Sequence, residues 1–301
     1  MPFYEIEFPL TGLDAPTVEA ALAKIGACAL TFQDRADEAV LEPSPGEIRL
    51  WPDTLVRALF DDTHDAARCL GELATTLGPT ITATARVRAV PEQAWERAWL
   101  ADWKPMRFGR RLWVCPTHLP PPQDPEAVVL RLDPGLAFGT GTHETTALCL
   151  EALAELDLRG KSVLDYGCGS GILAISAVLL GAAHACCVDL DPQALTAARG
   201  NAARNGVASR ITTQDTAAVP APADCVLANI LAGALIELMP RLTAACKAGG
   251  DLLLSGILVG QQEAVIDAYQ PYFAILDCVQ RGDWHCVRAR RRVPTGSHGV
   301  S

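Results

Sequence analysis

Two glycine-rich stretches carry residue types that hold nucleotides: LDPGLAFGTGTHETT at Leu132–Thr146 and GCGSG at Gly167–Gly171. Neither ends in the Gly-Lys-Ser/Thr that grips phosphates, so neither is a P-loop. In LDYGCGSGILA, Gly167, Gly169 and Gly171 follow an apolar run ending at Asp165 and open a second one. Glycines there let the backbone approach a ligand at the C-terminal edge of a sheet. The spacing from Gly169 to Ala174 also loosely fits G-x-G-x-x-A, which leaves a nicotinamide dinucleotide open. Asp189 ends the next apolar run, 18 residues beyond Gly171. A carboxylate at that place can accept both ribose hydroxyls of an adenosine. Asp191, just before Pro192, reads as a helix cap. The pattern specifies an adenosine-containing cofactor without saying which.

DCVLANILAG adds a polar side chain, Asn229, after Val-Leu-Ala. A buried amide left unpartnered costs roughly 1–3 kcal/mol, so Asn229 must find partners. Its oxygen and the carbonyls beyond it could accept hydrogen bonds from an amine. Alternatively it caps a helix over Leu231–Ala245, and the two roles are compatible. The FGTGTH stretch reads as a flexible cover whose glycines let Phe138, Thr140, Thr142 and His143 reach a cofactor held from below by GCGSG. His143 reads equally as a plain packing histidine.

These residues need a scaffold that brings strand ends to one rim. From Ala127 onward, SVLDYG, ACCVDL, ITTQD, DCVLANI and DLLLSGI read as strands. Gly171–Leu180, Pro192–Asn205 and Leu231–Ala245 read as helices between them. Such alternation builds a mostly parallel α/β sheet covered on both faces. FAILDCVQ and WHCVRAR follow with only a short connection, as an antiparallel hairpin at one edge. Upstream, FYEIEFPL, ACALTFQD, EAVLEP, EIRLW and ITATARVRAV read as strands. Pro16–Ile25, capped by Asp14, and about His64 to Leu77 read as helices. That mixture suggests a small α+β, ferredoxin-like domain. Between the two, Trp95, Trp99 and Trp103 recur at helical spacing as a packing stripe, and THLPPPQDPE is a proline-dense loop.

Composition limits the rest. Half of the 301 residues are hydrophobic, enough for a substantial core. The eleven cysteines show no Cys-x-x-Cys pair, which argues against a disulfide framework or a metal site and for a reducing cytoplasm. No leader is legible at the N-terminus, and no apolar run is long enough to span a bilayer. The formal net charge of −10 is concentrated in residues 1–80, where 14 acids face 5 bases. This excess is either a well-solvated surface or a module that attracts a basic partner and repels bare nucleic acid.

Asp-x-Gly-x-Gly-x-Gly, the acid ending the second strand and Asn-Ile-Leu-Ala ending the fourth together resemble the class I S-adenosylmethionine methyltransferases. KPMRFGRRLWVCP, LDPGLAFGTGTHETT, DYGCGSGILAI, VDLDPQAL and ANILAG, in that order, narrow the resemblance to the bacterial ribosomal protein L-11 methyltransferases. The resemblance implies a substrate-recognition domain at 1–90, a linker at 91–126, a Rossmann-like methyltransferase domain at 127–293 and a tail at 294–301. It implies methyl transfer from S-adenosylmethionine to lysine and N-terminal amines of the basic L-11 protein, taken before ribosome assembly, with no membrane or specific nucleic-acid contact. Family cofactor contacts fall on Thr146, Gly167, Asp189 and Asn229, and Asn229 and His143 are the catalytic candidates. Glu144 departs from the family pattern, which has Pro there, and puts the rigidity of the cover in question. Other readings are methylation of another protein's lysines or of a small molecule, a nicotinamide-dependent oxidoreductase, or an idle adenosine-binding module.

Overall fold

A computed structural model describes residues 3–36, 50–90, 103–133, 141–218 and 220–293. The chain divides into two compact units, Met1–Ala98 and Trp99–Ser301. The Trp95 and Trp99 positions of the aromatic stripe, the EAVLEP segment and most of EIRLW lie outside the described residues, as do Phe138 and Thr140 of the cover.

In the first unit, β1 (Phe3–Pro9), α1 (Ala15–Lys24), β2 (Ala29–Asp34), β3 (Thr54–Asp61), α2 (Ala66–Leu77), a short α3 (Thr80–Thr84) and β4 (Arg86–Val90) follow one another. The sheet order is β2-β3-β1-β4 with antiparallel neighbours, the ferredoxin-like arrangement. Asp14 caps α1 by accepting from the Thr17 N–H, and Asp65 caps α2 through the Arg68 N–H. Ile6, Phe8, Val18, Leu22, Val56, Phe60 and Leu73 close the core. Sequence reading misses β3, because Leu55 and Leu59 on its other face are apolar too and blur the alternation. ITATARVRAV is corrected: Pro79 starts a helical turn over Thr80–Thr84, whose Thr82 and Thr84 hydroxyls donate to carbonyls one turn back, and only the second half is strand.

The second unit opens with a small sheet of β5 (Met106–Phe108), β6 (Leu112–Cys115) and β7 (Val128–Arg131), in that order. Its main sheet is built from β8 (Ser162–Tyr166), β9 (His184–Asp189), β10 (Ile211–Asp215), β11 (Ala223–Asn229), β12 (Cys246–Leu258), β13 (Phe273–Arg281) and β14 (Trp284–Arg291). The order is β10-β9-β8-β11-β12-β14-β13; the first five strands are parallel and the last two form the antiparallel edge hairpin. Alternate residues feed two cores. Val163, Cys187 and Leu227 face α4 (Glu144–Ala154), α5 (Ile172–Leu179) and α6 (Pro192–Arg204). Leu164, Val188 and Val226 face α7 (Ala232–Glu237), α8 (Met239–Ala245) and α9 (Gln262–Tyr269). The single helix expected over Leu231–Ala245 is two, because Pro240 cannot donate to a continuous ladder. All eleven cysteines are free thiols. Among the described residues, no helix is long and apolar enough to cross a membrane.

Candidate active site at the strand ends

The parallel order reverses between β8 and β11: β8, β9 and β10 run to one side, β11 and β12 to the other. At such a switch point the connections leave in opposite directions and open a crevice beyond the strand ends. Gly167, Gly169 and Gly171 line it with φ of 75°, 52° and 78°, all in the left-handed region. Glycine at every second position is therefore a backbone requirement. A Cβ on Gly167 would also lie 2.3 Å from the Ile230 side chain. Gly171 packs the start of α5 against Ala198 of α6 and serves as the N-cap.

Asp189 ends β9 beside this loop. Its carboxylate accepts from Gly169 N–H at 2.9 Å and from Asp191 N–H at 3.0 Å, so it is locked in place with further lone pairs available. Asp191 is the cap of α6, accepting from the Gln193 N–H. Asp165 is buried beneath the loop and accepts from Ala174 N–H at 3.0 Å. Burial raises its pKa from 3.8 to about 7, partly countered by that hydrogen bond.

Asn229 closes β11 on the other side of the switch. Its amide donates to Thr146 Oγ1 at 3.3 Å, and the Thr146 side chain is buried in the first turn of α4. The helix-cap alternative for Asn229 is set aside: Leu231 is the N-cap of α7, with no side-chain cap bond. His143 is the N-cap of α4, its Nδ1 lying 2.8 Å from Thr145 Oγ1, and its ring meets Trp284 edge-on at 5.1 Å. Capping and packing thus account for its placement. Thr142 lies just upstream, between Gly141 and this cap. Glu144 takes the first helical position, where the helix dipole favours an acid.

His143, Thr145, Asn229, Ile230, Leu231, Gly256 and Trp284 line a cleft of about 410 Å³ whose surface is mostly apolar. Sequence reading missed three of its supports. Ser255, fully buried, lies 3.2 Å from the Thr145 carbonyl and 3.1 Å from the His285 carbonyl, tying α4 to β14. A lone Ser in DLLLSGI was the available signal. Gly256 (φ 83°) sits where the β12–β14 register shifts, and a Cβ there would lie 2.3 Å from the Ile230 carbonyl oxygen. Trp284 left only a hairpin signal. The structure therefore brings Thr146, Gly167, Gly169, Gly171, Asp189 and Asn229 to one rim, with His143 at its wall. Among the described residues, no cluster of His, Cys, Asp and Glu is arranged to hold a metal ion.

The family model for ribosomal protein L11 methyltransferase (PrmA) matches residues 2–292. The chain belongs to the ribosomal protein L11 methyltransferase family. A relative of that name from Sodalis glossinidius is 49% identical over 296 residues, covering 97% of this chain and 100% of the relative. Another from Escherichia coli is 47% identical over 296 residues, with the same coverage. A solved ribosomal protein L11 methylase from Lactobacillus delbrueckii subsp. bulgaricus superposes with a TM-score of 0.59 at 34% identity, covering 64% of this chain and 100% of that one. The chain is accordingly a methyltransferase of the class I fold, and its methyl donor is S-adenosylmethionine.

Proposed function

We propose that the chain methylates amino groups of ribosomal protein L11, on lysine side chains and at the N-terminus. The observation that carries the reading is Asn229. Its amide nitrogen is engaged by Thr146, which leaves the carbonyl oxygen as the free pole at the mouth of an apolar cleft. Gly167, Gly169 and Gly171 admit the donor to the backbone, and Asp189 accepts its ribose hydroxyls. When bound, S-adenosylmethionine supplies an electrophilic methyl group.

The remaining work falls to this chain's residues. A free lysine amine has a pKa near about 10.4, so it must arrive neutral to attack. Ile230, Leu231 and Trp284 give the cleft an apolar lining, which disfavours the ammonium form. Asn229 Oδ1 accepts an N–H of the amine and aims its lone pair along the methyl–sulfur axis. No general base is assigned, because the proton can leave to solvent before attack. We assign substrate recognition to the N-terminal unit. The acid excess of residues 1–80 favours a basic protein over bare nucleic acid, which suits free L11 before ribosome assembly.

The test uses L11 purified from a strain lacking the enzyme, incubated with this protein and S-adenosylmethionine and read by mass spectrometry. Methyl groups should accumulate on lysines and the N-terminus. Asn229→Ala should lower turnover at least ~100-fold while weakening donor binding far less, by about tenfold at most. Unmodified L11 beside methylation of a different protein or a small molecule would overturn the assignment.

A further inference from the structure

One side chain at the crevice has no role in the chemistry above. Arg241, near the start of α8, sends one guanidinium nitrogen to the carbonyl oxygens of both Thr216 and Ala218. The same guanidinium stacks over the ring of Tyr166 with its carbon 5.5 Å from the centroid. No carboxylate is paired with it by a salt bridge among the described residues.

The two ends of this bridge are informative. Tyr166 is the last residue of β8 and is followed directly by Gly167. Thr216 follows Asp215, the last residue of β10, which stands in register with Asp189. Arg241 therefore spans the end of β9, joining the glycine loop to the turn beyond it. Among the described residues, little else holds that turn. β10 and β11 run parallel with two strands between them, yet only seven residues, 216–222, connect them. A parallel crossover ordinarily takes a dozen or more residues and a helix. Asp215 satisfies the turn's donors by accepting from the Ala217 and Ala218 N–H groups. Arg241 satisfies two of its acceptors, and a planar guanidinium suits that task and the stacking together.

We propose that Arg241 is a positioning residue for the purine end of the cofactor, fixing turn 215–218 as the wall on which the base is read. The proposal rests on the reading that Asp189 takes the ribose. With the ribose at β9 and the methyl end directed to Asn229 at β11, the base extends the other way, over the end of β10. Arg241 touches neither substrate nor base; it sets the edge of the turn that does.

The experiment compares S-adenosylhomocysteine with its inosine counterpart, in which the base's exocyclic amine is an oxygen, by calorimetry on the full chain. Wild type should prefer the adenine ligand. Arg241→Met should weaken S-adenosylhomocysteine about tenfold and the inosine ligand little, collapsing the preference. Turnover at saturating donor should stay within about twofold, which separates positioning from damage to the catalytic end. Arg241→Lys, which keeps the charge but not the fork, should fall between the two and serves if the Met variant does not fold. An unchanged preference in whichever variant folds, or equal weakening of both ligands with a lowered melting temperature, would overturn the proposal. Asp189→Ala separates the two readings. If it leaves both affinities unchanged, the ribose placement fails; if it weakens both while Arg241→Met preserves the preference, only the role of Arg241 fails.

Discussion

Two aspartates one strand apart show how environment divides identical side chains. Asp189 accepts two backbone N–H groups at the rim, where a ligand can reach it. Replacing it with Ala removes a charged acceptor worth roughly 1.5–3 kcal/mol, so S-adenosylmethionine should bind about ten- to a hundredfold more weakly. Calorimetry on the folded variant measures this directly. Asp165 lies beneath the loop, with burial raising its pKa from 3.8 to about 7. Between those values the folded state holds the proton more tightly than the unfolded chain. The stability that protonation contributes is complete below pH about 4 and is lost as pH rises to about 7. Denaturant melts across that window should show a decline of up to ~4 kcal/mol in the wild type. Asp165→Asn keeps an acceptor for the Ala174 N–H but cannot ionise, so its stability should stay flat. A wild type equally flat would show Asp165 ionised throughout.

Elements were legible where one periodicity dominated. β9 and β11 stand out as short apolar runs ending in Asp and Asn, and β8 as one with Asp165 just before its last residue; the glycines after β8 follow from the turn they must make. Asp14 and Asp191 were readable as caps because each precedes a proline or its neighbour at a helix start. α4 was hidden, since its residues are buried nearly all round and its start is continuous with the glycine-rich cover. The cleft was hidden for a different reason: Ser255, Gly256 and Trp284 meet Asn229 only through strand pairing far along the chain. Gly256 offers the sharpest test of that pairing. Gly256 and Gly260 have φ of 83° and 90°, so Ala at either site carries backbone strain. At Gly260 nothing lies within 4 Å of the added methyl, whereas at Gly256 it would overlap the Ile230 backbone. Gly260→Ala should lose about 1–2 kcal/mol, from strain alone. Gly256→Ala should lose clearly more and slow turnover by displacing Asn229. Similar denaturation midpoints for both would mean that β11 and β12 are not as close as described.

At the scale of the whole molecule, charge and chemistry are segregated. Every rim residue named above belongs to Trp99–Ser301, while the acid excess lies in residues 1–80 of the other unit. The two tasks should therefore separate experimentally. A truncated chain beginning at Trp99 should keep S-adenosylmethionine affinity within about threefold and lose at least ~90% of L11 methylation, because encounter with a basic protein is steered by the removed charge. Trp103 is buried in the retained unit. Circular dichroism must first show the truncated chain folded. A full-length variant avoids that condition. Glu19 and Asp62 are exposed and cap no helix, unlike Asp14 and Asp65, so Glu19→Lys with Asp62→Lys leaves the described hydrogen bonds in place. The pair should raise KM for L11 several-fold at low salt and leave KM for the donor unchanged. The difference from wild type should shrink as salt approaches ~0.5 M, since exposed charges act over a Debye length that salt shortens. If the variant and the truncated chain both methylate L11 at the wild-type rate, recognition lies in the methyltransferase unit, and the N-terminal acids serve solubility alone.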